Sequence, residues 1–134
     1  MAGYSKRSLV EKLGIKEGTS VCILNAPSGY TRTLGELPSG ASVSRTLKDG
    51  LEFIQFFNTK RSVLEKNIST LRQSLRPAGI LWVCWPKGSS KVPTDLNENV
   101  IRKVALAHRL VDVKVCAVDE TWSGLKLVIR VKDR

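Results

Sequence analysis

Lys87 directly follows Trp85 and Pro86 in the stretch LWVCWPKGSSKVPTDL, residues 81–96. Proline restrains the backbone in front of it, so its ammonium is placed as a point charge suited to a phosphate or a carboxylate. A solvated loop lysine is the competing reading. PKGSSK lacks the GxxxxGK[ST] spacing of a phosphate loop, and nucleotide hydrolysis therefore has no support. Asp119 and Glu120 have the chemistry of an acid and a base, but neighbours in an extended strand point to opposite faces and do not form a ready pair. One of the two also suits hydrogen bonding to the backbone of the TWSG turn that follows, as Asp and Ser favour such local bonds. Trp122 offers a flat surface for a planar ligand or a cap on the core beside that turn. His108, the only histidine, ends a helical stretch and has no serine or cysteine at triad-like spacing. Helix-end packing near the C-terminal dipole is its expected role.

Cys22, Cys84 and Cys116 each sit inside an apolar stretch (VCIL, WVCW, VKVCAV), far apart and without CxxC spacing. They read as free, reduced core thiols rather than as metal ligands or a nucleophile. The net charge of +10 favours anionic partners. Residues 1–76 hold twelve Lys or Arg against six acids and residues 77–134 hold ten against six, so the excess is spread along the chain and forms no basic tail. General attraction to anions follows more readily than a dedicated nucleic-acid footprint.

The elements that must position these residues follow from apolar patterning. Ser8 and Glu11 have capping-box spacing, with Leu9, Val10 and Leu13 as a short apolar face closed by Gly14. TSVCILNAP and LEFIQFFN are continuous apolar runs that suit strands buried on both faces, and ASVSRTL is a weaker strand between them. SGYTRTLGELPSG gives a short helix and turn. Leu64, Ile68, Leu71 and Leu75 lie on one helical stripe, which RPAG stops. GILWVCW is a fourth strand; Asp95 and Glu98 form a second capping-type pair, opening a helix that ends near Arg109. LVDVKVCAVDE and LKLVIRVKDR are joined only by TWSG, so they form an antiparallel hairpin. In the last strand Leu125, Leu127, Ile129 and Val131 alternate with Lys126, Val128, Arg130 and Lys132, which predicts one wet face at the sheet margin.

Doubly buried strands alternating with helices predict a single α/β domain over residues 1–134: three layers, a mainly parallel Rossmann-like sheet of about six strands, and a C-terminal antiparallel hairpin. No apolar run is long enough to cross a bilayer and MAGYSKRSLVEKLG lacks the apolar segment of a secretion signal, so the expected location is cytoplasmic. Ligands in such sheets bind beyond the carboxyl ends of the parallel strands, near the reversal of strand order. That rule gathers Asn25, Ser28 and Tyr30 after the first strand, Asn58 and Lys60 after the third, Trp85 and Lys87 after the fourth, and Asp119, Glu120 and Trp122 after the fifth. Asn25, Ser28, Tyr30, Asn58, Trp85, Lys87, Asp119 and Trp122 are the candidate ligand-binding set.

KLGIKEG, NAPSGY, the aromatic strand before a charged helix, LWVCWPK, VPTDL and VDVKVCAVDETWSGLKLVIR, in that order, resemble a family of short, mostly bacterial proteins classed as a domain of unknown function. The resemblance spans nearly the whole chain and implies a fold, a class I methyltransferase core shortened by one strand and helix. It carries no activity. Two places depart from a methyltransferase: NAPSGY offers only Gly29 where a cofactor turn is glycine-rich, and Ser44, Arg45 and Thr46 stand where the second strand supplies an acid for ribose. The leading expectation is a binding protein for an anionic or nucleotide-like ligand, or for a protein partner. The alternatives are a divergent methyltransferase and nonspecific nucleic-acid binding through Lys60, Arg61, Lys66 and Arg72. Neither a cofactor nor an oligomeric state follows from these residues.

Overall fold

Ser8 starts the first helix as its spacing predicts, in a computed structural model that describes residues 7–134. Residues 1–6, the start of the segment read as lacking a secretion signal, lie outside the described residues. The Ser8 side chain accepts from Glu11 N and the Glu11 carboxylate accepts from Ser8 N, closing a capping box on α1 (Leu9–Leu13). Gly14 ends it with φ 87°, a backbone state that glycine alone adopts without strain.

The chain then runs β1 (Ser20–Leu24), α2 (Tyr30–Leu34), β2 (Ser42–Ser44), β3 (Leu51–Phe57), α3 (Arg61–Ser74), β4 (Leu75–Pro86), α4 (Glu98–Ala107), β5 (Leu110–Ala117) and β6 (Trp122–Ile129). All six strands form one sheet in the order β2-β1-β3-β4-β6-β5. β1 to β4 pair in parallel, whereas β6 lies antiparallel to both β4 and β5. β5 therefore points the same way as β4, and only β6 runs against the rest.

Side-chain parity divides the core. Leu81, Val83 and Trp85 of β4 pack with Leu64, Ile68 and Leu71 of α3 and Ile101 and Val104 of α4 on one side. Trp82 and Cys84 pack with Leu13, Tyr30 and Leu34 from α1 and α2 on the other. Three layers result, as the doubly buried strands require.

Several local expectations are corrected. The hairpin turn is residues 118–121, not TWSG: Trp122, Ser123 and Gly124 already pair with β4 and β5 as the start of β6. Leu75 is not in the helical stripe: α3 ends at Ser74 and Leu75 has extended dihedrals at the head of β4, though it still buries on the α3 side. RPAG is a register irregularity inside the strand, between the pairs Leu51–Leu75 and Phe53–Ile80. Gly79 is required there because a Cβ would lie 2.8 Å from the Leu51 carbonyl oxygen. Asp95 does not cap α4: Asn97 does, its side chain accepting from Val100 N at 2.9 Å. The wet margin is β5, not β6. β6 sits inside the sheet and ends at Ile129, while Val113 and Val115 of β5 are exposed and Val131 lies beyond the strand.

No helix among the described residues is long and apolar enough to cross a membrane.

Candidate functional site

Strand order reverses between β1 and β3, because the chain moves outward from β1 to β2 and then returns to build β3 and β4 on the other side. Loops leaving the carboxyl ends of β1 and β3 diverge at such a point and leave a crevice. A cleft of about 400 Å³ lies there, lined by Asn25, Phe57, Asn58, Lys60, Val63 and Trp122 among others. A second cleft, also about 400 Å³, runs beside it between the loop of residues 25–29 and Arg45. A smaller apolar pocket of about 180 Å³, walled by Ile23, Leu34, Leu37 and Val43, opens next to Arg45 on the side of α2. The sequence-based rim is thus two adjoining clefts over the β2, β1 and β3 ends.

The candidate residues fall into two groups. Asn25, Ser28, Asn58 and Trp122 border the clefts. Asn25 turns the chain out of β1 with φ 58°, a left-handed state that asparagine tolerates better than most side chains. Ser28 is exposed in the following loop. Tyr30 lines the loop cleft and the apolar pocket yet is 3% exposed, its hydroxyl donating to Gln55 Oε1 at 2.9 Å. Its ring meets Phe57 edge-on at 4.8 Å between centroids, and Phe57 meets Trp122 edge-on at 5.1 Å. The row thus runs from Tyr30 at the loop cleft to Phe57 and Trp122 at the crevice, and Tyr30, its hydroxyl engaged, acts as a wall.

Trp85, Lys87 and Asp119 stand apart. Trp85 is 7% exposed and packs into the α3–α4 side of the core. Lys87 continues that parity into the loop; its N–H donates to the Thr121 carbonyl at 2.9 Å and its own carbonyl accepts from the Ser90 hydroxyl at 2.7 Å. Its side chain lines neither cleft. Asp119 Oδ1 accepts from the N–H groups of Thr121 and Trp122, both at 2.8 Å, which is the turn-holding role its type suits. That turn fixes the backbone of Trp122 at the crevice. His108 caps α4, with Nδ1 3.0 Å from the Val104 carbonyl oxygen.

Asn58 is the unusual member. Its backbone N–H and its Nδ2 both donate to the Cys84 carbonyl, at 3.1 and 3.4 Å, while its Oδ1 is buried without a hydrogen-bond partner. An amide acceptor left so costs about 1–3 kcal/mol of stability.

Cys22 and Cys84 are buried core thiols as expected, whereas Cys116, on the marginal strand β5, is only half-buried. Burial pushes Cys84 up to about 12, with a hydrogen bond from Gln55 acting in the opposite direction, and burial also raises Cys22. Both stay protonated near neutral pH, which leaves neither a nucleophile. Among the described residues no group of three or more His, Cys, Asp or Glu is placed to hold a metal.

One clamp escaped the sequence. Asp95 Oδ1 accepts from Arg61 N at 2.7 Å, and the Thr94 hydroxyl donates to the Thr59 carbonyl at 2.7 Å, so the VPTDL segment holds the first turn of α3 beside the crevice. No local pattern signals it, since the partners are 34 and 35 residues apart. Asp95→Ala should lower stability by about 1 kcal/mol, as loss of a helix cap does. Asp95→Asn should keep most of it, and urea unfolding midpoints compare the two.

No family model matches the chain, and no curated protein matches it in sequence. Solved structures do match in shape. A SAM-dependent methyltransferase from Aquifex aeolicus superposes with TM-score 0.64 at 14% identity, covering 91% of this chain and 88% of that one. A candidate type 11 methyltransferase from Sulfolobus solfataricus gives 0.65 at 15% identity, covering 92% and 90%. The magnesium protoporphyrin IX methyltransferase of Synechocystis PCC 6803, solved with bound SAH, gives 0.56 at 11% identity, covering 91% and 78%. At these identities the likeness is one of fold, and the chain has the Rossmann-like α/β fold of the SAM-dependent methyltransferases.

Proposed function

We propose that the chain is a divergent methyltransferase that holds an S-adenosyl cofactor in the cleft between the 25–29 loop and Arg45. The observation that carries this reading is position: the cleft lies over the ends of β1 and β2, in a fold shared along nearly the whole chain with methyltransferases. Its volume of about 400 Å³ is in the range of small-molecule sites. When bound, the cofactor supplies an electrophilic methyl group. The chain's own part is to hold and orient: the backbone of residues 25–29 lines one side, the Tyr30 wall the floor, and the apolar pocket beside Arg45 offers a place for a flat ring. The fit has two gaps. A Cβ on Gly29 would meet nothing within 4 Å, so this glycine serves its φ of 80° rather than a close approach, and no acid stands at the end of β2.

Isothermal titration calorimetry with S-adenosylmethionine and S-adenosylhomocysteine tests the reading. Binding in the micromolar to millimolar range, about −8 to −4 kcal/mol, is the expected result. No heat with either removes methyl transfer. A second reading, an anionic nucleotide bound without transfer, is favoured by Arg45, which lines both the loop cleft and the apolar pocket. Thermal shifts with phosphorylated nucleotides but none with S-adenosyl compounds would single it out. On either reading residues 1–134 are one domain of a bacterial cytoplasmic protein, supported by the segment order and the free thiols. Nucleic-acid binding through α3 has less support, because Arg61 is engaged by Glu65 at 3.3 Å and Arg72 is half-buried.

A further inference from the structure

The crevice at the strand reversal is lined by Asn58, whose Oδ1 is a buried acceptor without a partner just beneath it, by an aromatic side chain and by a cation. Asn58 is 8% exposed, and its Nδ2 is already directed to the Cys84 carbonyl, which fixes Oδ1 as an acceptor. A fold gains nothing from that atom unless a donor arrives. Trp122 borders the same space, its ring set edge-on to Phe57 and its backbone held by Asp119. Lys60 is exposed at the crevice and takes part in no ion pair among the described residues; no acidic side chain lines the space. We propose that this crevice is a second ligand site, taking a planar small molecule that donates an N–H or O–H to Asn58 Oδ1, lies against Trp122 and turns an anionic group to Lys60. The proposal deepens the methyltransferase reading, on which it rests for the rim being the binding edge, by assigning the ligand that is not the cofactor.

A polar group built to meet a donor rejects an analogue lacking it more strongly than an apolar surface can. The probes are therefore 2-aminobenzoate and benzoate, matched in ring and charge and differing in the donor, titrated while the tryptophan indole resonances are followed by NMR. Wild type should bind 2-aminobenzoate about tenfold more tightly, a difference of about 1.4 kcal/mol, with the Trp122 indole shifting. Asn58→Leu should erase the preference and raise Tm by about 3 °C or more, since it removes an unpaired buried acceptor. Lys60→Ala, a change at an exposed position, should weaken both probes several-fold and keep their ratio. Equal affinities, no binding of either probe, a preference surviving Asn58→Leu, a lower Tm in that variant, or indifference to Lys60→Ala would overturn the proposal. Neither probe needs an S-adenosyl compound, so calorimetric failure of the cofactor reading and failure of this second site are separate results.

Discussion

Trp82→Ala should destabilise the protein by about 3–5 kcal/mol, the cost of truncating a large aromatic side chain at the centre of a core. Trp82 is 0% exposed on the α1–α2 side of the sheet, and its indole N–H donates to the Leu13 carbonyl at 2.8 Å. That carbonyl belongs to the last turn of α1, which has no further helical partner to offer it. One side chain therefore fills the centre of the core and ties a five-residue helix, too short to persist alone, to the sheet. Gly124 on the neighbouring strand leaves room for the ring, since a Cβ there would lie 3.1 Å from Trp82 Cε3. Calorimetric melting should show Tm falling by about 10–20 °C for a chain of this size. Trp82→Phe separates the two contributions. It keeps most of the apolar body and orphans the carbonyl, so a loss of about 1–3 kcal/mol is expected. Equal losses for the two variants would mean that the hydrogen bond, and not burial, dominates.

Much of this architecture was legible because strands covered on both faces leave no alternation to misread. TSVCILN, LEFIQFF and ILWVCW announce themselves as interior strands, and the gap between the last two apolar runs is too short for any connection but a hairpin, although the turn itself lies at residues 118–121, upstream of most of TWSG. Errors arose where a local rule and a tertiary partner competed. Asp95 and Glu98 satisfy the spacing of a capping pair, but Asp95 is taken by Arg61 N, from a helix that begins 34 residues earlier. Leu75 obeys the helical stripe because strand parity happens to bury it on the same side. The alternation in β6 looked like a sheet margin because Lys126 and Val128 lie on the face that α3 and α4 leave uncovered; the real margin, β5, carries its exposed valines where an inner strand carries core. The expected rim followed from strand direction alone. Which residues on it meet open space depends on parity at the strand ends, and that is where Trp85 and Lys87 separated from Asn58 and Trp122. Residue type gave no warning, since tryptophan and lysine serve surface and site alike.

Arg45→Glu should raise affinity for S-adenosylmethionine about tenfold if the adenosine lies where the fold positions it. Arg45 follows β2 and borders both the loop cleft and the apolar pocket, so it stands at the junction of any ligand that fills the two. A carboxylate at that place accepts from ribose hydroxyls, and hydrogen bonds to a charged group contribute about 1.5–3 kcal/mol when well formed. The position is exposed, which argues for the lower end of that range. Ser44 cannot substitute, because its hydroxyl is occupied by the backbone of Thr46, accepting its N–H at 3.1 Å and facing its carbonyl oxygen at 3.2 Å. Removing the guanidinium also removes repulsion toward a cationic sulfonium, and Arg45→Gln isolates that part: it should give only a small gain, weakened further by added salt. Calorimetry on wild type and both variants yields an order, glutamate above glutamine above arginine for S-adenosylmethionine, that should reverse for an adenosine bearing a phosphate on its ribose. An unchanged affinity across the three would place the ribose away from β2 and remove the assignment of this cleft, because no other feature of the site ties the cofactor's orientation to the strand order.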